Sequence, residues 1–293
     1  MRYPPRSRRT KIRRRATFAG ALAAVGLITA GFSIFGDQRF EARSAPLAGT
    51  PVTLRVEHGV APSEVTPVRV GILAAHRYAR RLLGRPVRGP VDARVSGRSG
   101  CRLLSHTDGI PVGEAERGRL CIDTGNLRWQ WLVQTDPTAA SVIAAHEYAH
   151  VVQADLGCLR GGAQEPRWLI EGMASDIGWR AVIADRRATW TELRDSIADG
   201  GAFDVNLWPL RRYETAGGRD AEYALWLGAT RALPGSSAER LLRWCRTTGT
   251  GVPWRVAFRR TFGLTTADFY ARFERARLDG MLSRRLVLRG EER

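Results

Sequence analysis

The residues best suited to chemistry lie in Ala144-Ala145-His146-Glu147-Tyr148-Ala149-His150-Val151-Val152 and, after a short connection, in Trp168-Leu169-Ile170-Glu171-Gly172-Met173-Ala174. The first stretch reads His-Glu-x-x-His inside an apolar, helix-forming run. Side chains four apart share one face of a helix. His146 and His150 can therefore aim both imidazoles at one metal ion, with Glu147 beside the first of them and able to reach a water on that ion. Glu171 is expected as the third ligand, delivered by a second helix. Two imidazoles and a carboxylate form a donor set that zinc accepts, with the fourth position left for water. The residual positive charge of Zn2+ would lower the pKa of that water. Glu147 would take its proton as general base and pass it on to a leaving amine. An oxyanion then needs a donor, for which Tyr223 is the candidate and Tyr213 the runner-up. Asp176 is a candidate acceptor for the ring N–H of a ligand histidine.

Structural accounts compete with each of these. Two histidines four apart can lie on a solvated face, but Val142, Ile143, Ala144, Ala145, Val151 and Val152 make the segment apolar nearly all round. Such a helix is buried, and buried polar groups need partners. Glu171 could be a carboxylate in the first turn of a helix that follows Pro166. Tyr223 could be a core or interfacial tyrosine, and Asp176 a solvated helix residue.

The elements that must position these groups follow from periodicity and breakers. Pro137 suits a first helical turn and Gly157 a helix end, so the metal helix is expected over residues 138–157. Arg167 to Ala184 is expected as the next helix, carrying Glu171. Upstream, Val52 to Glu57 alternates as a strand does. Glu64 to Leu83 has helical spacing of Val68, Ile72, Ala75, Ala79, Leu82 and Leu83, ended by Gly84. Val91 to Val95 and Leu120 to Asp123 are short strand candidates, and Leu120-Cys121-Ile122 is the expected antiparallel edge strand to which a peptide substrate could add. After Gly200-Gly201 and Pro209 the pattern changes to short amphipathic helices at Ala221 to Leu233, Ser237 to Thr247, Pro253 to Thr261 and Thr266 to Arg277. The expected fold class is α+β: a lobe over residues 51–200 with a small mixed or antiparallel sheet and the metal helix, then a helical lobe over 201–282, with a basic tail at 283–293.

The 293-residue length and 44% hydrophobic content fit a globular chain with a sizeable core. The net charge is +17, of which residues 1–15 carry eight basic side chains and no acidic one, leaving +9 on the remainder. No stripe of basic and aromatic residues accompanies that excess, so no nucleic-acid partner is expected. Ala16 to Phe35 runs uncharged behind Arg13, Arg14 and Arg15, long enough to span a bilayer. Residues 1–37 thus read as a basic tail with a transmembrane anchor or signal helix, residues 38–50 as a linker, and everything beyond as lying outside the cytoplasmic membrane. The alternatives are a single-pass membrane protein with its catalytic part outside, or a secreted protein if the signal is cleaved near Ser44-Ala45. Four cysteines in an exported domain allow disulfides; Cys101 with Cys121 and Cys158 with Cys245 are the expected pairs, against four free thiols.

His146-Glu147-Tyr148-Ala149-His150 with Trp168-Leu169-Ile170-Glu171-Gly172-Met173-Ala174 resembles the gluzincin metallopeptidases, specifically the peptidase MA-like family, over roughly residues 50–280. The resemblance implies a thermolysin-like (zincin) α+β lobe, a zinc ion held by His146, His150 and Glu171, Glu147 as catalytic base, and a tyrosine at the position of Tyr223 serving the oxyanion. The metzincin pattern is excluded, because Leu156 stands where its third histidine would be. Asp176 follows Glu171 one residue later than the thermolysin spacing. The leading expectation is a zinc metallopeptidase, monomeric, acting on peptide or protein substrates and attached to the membrane by its amino-terminal helix. The alternatives are a non-catalytic, metal-stabilised cell-surface binding protein and a hydrolase of a non-peptide amide or ester.

Overall fold

A computed structural model describes residues 42–97, 101, 113–116, 118–159, 165–199, 207–215 and 220–279. Five strands form one mixed sheet: β1 (Ala42–Pro46), β2 (Val52–Glu57), β3 (Val91–Ser96), β4 (Gly113–Glu116) and β5 (Arg119–Asp123), in the spatial order β1-β2-β3-β5-β4. The three central strands run parallel, with Leu54 opposite Ala93 and Ala93 opposite Leu120. Both outer strands are antiparallel to their neighbours. Parallel neighbours need a crossover, and α1 (Pro62–Leu83) supplies it between β2 and β3. Central strands covered on their faces read as apolar runs. Val91, Ala93, Val95, Leu120 and Ile122 are accordingly buried.

After the sheet the chain forms α2 (Leu127–Thr135), α3 (Pro137–Leu156), α4 (Arg167–Ala184) and α5 (Trp190–Asp199), and α3 packs on β4 and β5. A short 3-10 turn, Leu210–Glu214, leads to α6 (Asp220–Arg231), α7 (Ala238–Gly249), α8 (Trp254–Phe262) and α9 (Thr266–Leu278). The α+β class and the run of helices at the carboxy-terminal end agree with the expectation, and the expected helix boundaries shift by one or two residues. Four strands and α-helices differ, among them β4, whose residues 113–116 were read as loop. Residues 42–46, read as linker, pair with β2 as β1. The segments forming α2 and α5 were not read as helices.

The edge strand also needs correction. Leu120-Cys121-Ile122 lies in β5, which has β3 on one side and β4 on the other, so it is an interior strand. The edge beside the metal helix is β4, which lies in the excursion between Cys101 and Cys121.

The described residues all belong to one compact unit, Phe40–Arg293. Within it α3 packs on α1 and α4, and α4 on α6. Both expected disulfides are present. Cys101–Cys121 ties the excursion to β5, and Cys158–Cys245 ties the residue beyond the end of α3 to α7. The apolar stretch Ala16 to Phe35 and the tail 283–293 lie outside the described residues. Among those described, no helix is long and apolar enough to cross a membrane.

Candidate metal centre

The sequence fixes α3 at both ends. Asp136 caps its start, its side chain accepting from the Ala139 N–H at 2.9 Å, and Pro137 takes the first position, where a missing N–H costs nothing. Gly157 closes it in the left-handed conformation, φ 83°. Being apolar nearly all round, α3 is buried between α1 and α4. That burial carries His146, Glu147 and His150 into the interior, each under a tenth exposed.

Among the described residues, His146, His150 and Glu171 form the group able to hold a metal ion. The Nε2 atoms of His146 and His150 are 2.9 Å apart, and each lies 3.3 Å from Glu171 Oε2. Zinc-type bonds of about 2.0–2.1 Å in tetrahedral geometry put neighbouring donor atoms roughly 3.3 Å apart, so the triangle has the size of one coordination face.

The donor chemistry points the same way. Gln153, fully buried, donates its amide N–H to the Ile170 carbonyl at 2.8 Å, which turns Oε1 toward His150 Nδ1 at 2.6 Å. His150 must donate from Nδ1 to that oxygen, so in the neutral ring Nε2 is a lone pair. A lone pair, a second imidazole nitrogen and a carboxylate oxygen then face one another, an arrangement that needs a cation between them. Without a metal that cation is a proton. Burial would lower the His150 pKa, but the Glu171 charge overrides it and pushes the ring up to about 9. Burial acts on Glu171 in the opposite sense to its partners, and His150 with His146 holds its carboxyl well below the usual range. His146 is lowered, by burial first and by the His150 charge, with Glu171 opposing.

The other ring nitrogen of His146 meets Ser175 Oγ at 3.1 Å. Asp176, expected there, is completely buried elsewhere and accepts from Arg180 Nε at 2.6 Å and from Arg231 at 3.0 Å. The physical reason is helical phase. Ser175 is four residues past Glu171 and shares its face, whereas Asp176 is rotated a further step away. Gln153, three residues past His150, follows the same rule, so both supporting residues carried a legible spacing signal that was missed.

Glu147 lies against β4. A Cβ built on Gly113 would fall 2.7 Å from Glu147 Cγ and 2.8 Å from its Oε1, so only glycine lets the edge strand come this close to the carboxylate. Tyr223, near the start of α6, is also brought in, with its ring centroid 5.9 Å from that of His146. The negative charge of Glu171, burial and the charge of Glu147 hold its phenol well above the ordinary value, with Arg167 opposing. Tyr223 therefore stays protonated and able to donate. Its approach depends on Gly172, where a Cβ would lie 2.3 Å from Thr230 Oγ1 and 2.4 Å from the Trp226 carbonyl. Glycine there lets α4 and α6 touch backbone to backbone. Tyr213, the runner-up, is buried and donates instead to Glu222 Oε1 at 2.9 Å. Burial, then Glu222, pushes its phenol up to about 12.

Compared with known proteins, the chain matches no family model and no curated protein.

Proposed function

We propose that this chain is a zinc metallopeptidase of the gluzincin type, related to the peptidase MA-like proteins and thermolysin-like in its first lobe. The observation that carries the reading is the convergence of His146 Nε2, His150 Nε2 and Glu171 Oε2 with Glu147 beside them. A metal-stabilised binding protein would need the three ligands but not the fourth acid. Zinc is favoured over harder cations because two of the three donors are imidazole nitrogens. When bound, it supplies Lewis acidity to activate a water and polarise a carbonyl.

The chain's own groups do the rest. Glu147 receives the proton of the attacking water and returns it to the leaving amine. Tyr223 donates its phenol proton in a hydrogen bond to the oxygen that gains charge. β4, with one side paired to β5, offers its other side to an extended peptide, which would lie next to Glu147. Ser175 and Gln153 hold the two rings in orientation from behind. Action outside the cytoplasmic membrane, on an anchored or released chain, is supported by the two disulfides, which persist in oxidising compartments, and by the uncharged run behind an arginine-rich start.

The purified chain should contain about one zinc per molecule and cleave unstructured peptides. Glu147→Gln should keep the metal and lose about 10²–10⁴-fold in turnover. Equal turnover by that variant would remove Glu147 from its role, and a metal-free wild-type chain would remove the whole reading.

A further inference from the structure

His76, on α1, is buried yet stands outside the metal centre. Its Nδ1 meets the Tyr148 hydroxyl at 2.9 Å. Tyr148 belongs to α3, two residues from His146 and two from His150, so it points about 200° round the helix from either and meets α1 instead. Its phenol is fully buried, is held above its ordinary value by burial and by the charge of Asp155, and has no other hydrogen-bond partner among the described residues. A buried O–H needs an acceptor, and His76 Nδ1 is the one present. Burial, then the charges of Arg80 and Arg77, hold the His76 ring below its ordinary value. The ring is therefore neutral near pH 7, accepts at Nδ1 and carries its hydrogen on Nε2. That N–H has no partner among the described residues and keeps access to solvent. His76 offers it into a cavity of about 400 Å³, lined also by Arg80, Gly49, Thr50, Pro51 and Pro86.

The cavity presents donors and no acid. Arg80 follows His76 by four residues and shares its face of α1. Among the described residues it makes no ion pair or hydrogen bond. The arginines around it are engaged, Arg77 with Asp185, and Arg85 and Arg88 with Asp155. The Thr50 hydroxyl is spent on the Leu47 carbonyl at 2.8 Å and the Val52 N–H at 3.1 Å. Pro51 and Pro86 add apolar rings. A ring N–H, a guanidinium and two proline faces match an anion joined to a small apolar body. A carboxylate suits the guanidinium fork, and the cavity falls within the size of small-ligand sites, about 300–1,000 Å³.

We propose that this cavity, between α1 and the turn joining β1 to β2, binds a small organic carboxylate, held by the His76 Nε2–H and the Arg80 guanidinium and flanked by Pro51 and Pro86. The site is separate from the metal centre and does not depend on the peptidase reading.

Benzoate is the probe and neutral benzamide its control, each titrated into the full chain labelled with carbon-13 at histidine Cε1. The His76 resonance is identified by its loss in His76→Asn, which keeps an acceptor for Tyr148 and removes Nε2. Benzoate should move that resonance saturably, with a Kd of about 1 mM, and benzamide should leave it in place. Arg80→Met should weaken benzoate about tenfold, and Arg80→Lys should recover part of the loss. Benzoate signals followed in a titration of His76→Asn should show a loss of similar size. Arg80 is exposed, so its variants keep the fold and carry the test even if His76→Asn does not fold; the resonance is then identified through its Overhauser contact with the Tyr148 ring. A resonance that stays put, one that never saturates, one that moves equally with benzamide, or undiminished affinity in Arg80→Met overturns the proposal. Movement confined to His146 and His150 places benzoate at the metal centre and overturns it as well.

Discussion

Replacing Gly172 with alanine adds one methyl group where α4 meets α6, and its consequences can be worked from two contacts. The new Cβ would sit 2.3 Å from Thr230 Oγ1 and 2.4 Å from the Trp226 carbonyl oxygen. The threonine side chain can rotate away, but the carbonyl belongs to the helix backbone and cannot. Relieving that contact requires α6 to retreat by about 1 Å, and overpacking of this kind costs about 1–3 kcal/mol. The better helix propensity of alanine returns about 1 kcal/mol. The net loss of up to about 2 kcal/mol corresponds to a fall in Tm of up to roughly 8 °C. The retreat is local to α6. Tyr223 sits three residues before Trp226 and must move with it, whereas His146, His150 and Glu171 stand on α3 and α4. Metal content should hold while kcat falls by about 10-fold or more, since a 1 Å misplacement can cost up to about 100-fold. Thermal melts, metal analysis and peptide turnover on the same preparation test this. An unchanged or higher Tm with wild-type kcat would refute the close packing of α4 on α6 and the dependence of Tyr223 on it.

Two further outcomes follow from the same centre. Gln153→Leu removes the acceptor for His150 Nδ1 and should weaken metal binding about 10–100-fold, read by competition with a chromogenic chelator; wild-type affinity would show that Gln153 does not orient the ring. The metal-free chain should be most stable in mildly acidic solution. His150, raised to about 9 when folded against about 6.5 unfolded, contributes fully below about pH 6.5 and loses that contribution as pH rises through 9. Glu171, depressed when folded, contributes above about pH 4.3 and loses it as pH falls toward its folded value. The histidine contribution is at most about 3 kcal/mol, and a flat profile of Tm between pH 5 and 9 after chelation would contradict the shared proton.

How much of this was legible depended on whether a helix or a sheet carried the signal. The spacing of His146, Glu147 and His150 is fixed by one helix, and an apolar frame around it announces burial, so the cluster could be read directly. Glu171 was legible because its own helix is equally apolar. One supporting residue was misassigned by a single position, since Asp176 attracted attention as an acid while helical phase favoured Ser175, and Gln153 was passed over. The edge strand failed for a different reason. β4 reads Gly-Glu-Ala-Glu, with no β-branched or aromatic residue to mark a strand. Leu120-Cys121-Ile122 carried the apolar pattern that belongs to an interior strand. α2 was obscured because Leu127 and Trp131 are exposed, which blurs the stripe made by the buried Trp129 and Leu132. Propensity could not reveal how near α6 comes to α4, since that depends on Gly172 meeting a carbonyl far away in sequence.

The bond between Cys101 and Cys121 turns the stretch that holds β4 into a covalent ring anchored on its own neighbour, β5. The rail on which a substrate would lie is thus fastened twice, by ladder hydrogen bonds and by sulfur, while the helix that carries His146 and His150 is tied separately, to α7, by Cys158–Cys245. A reductant that opened this ring would loosen the landing place for substrate and leave the ion's seat as it was, so substrate capture and metal retention could be lost independently.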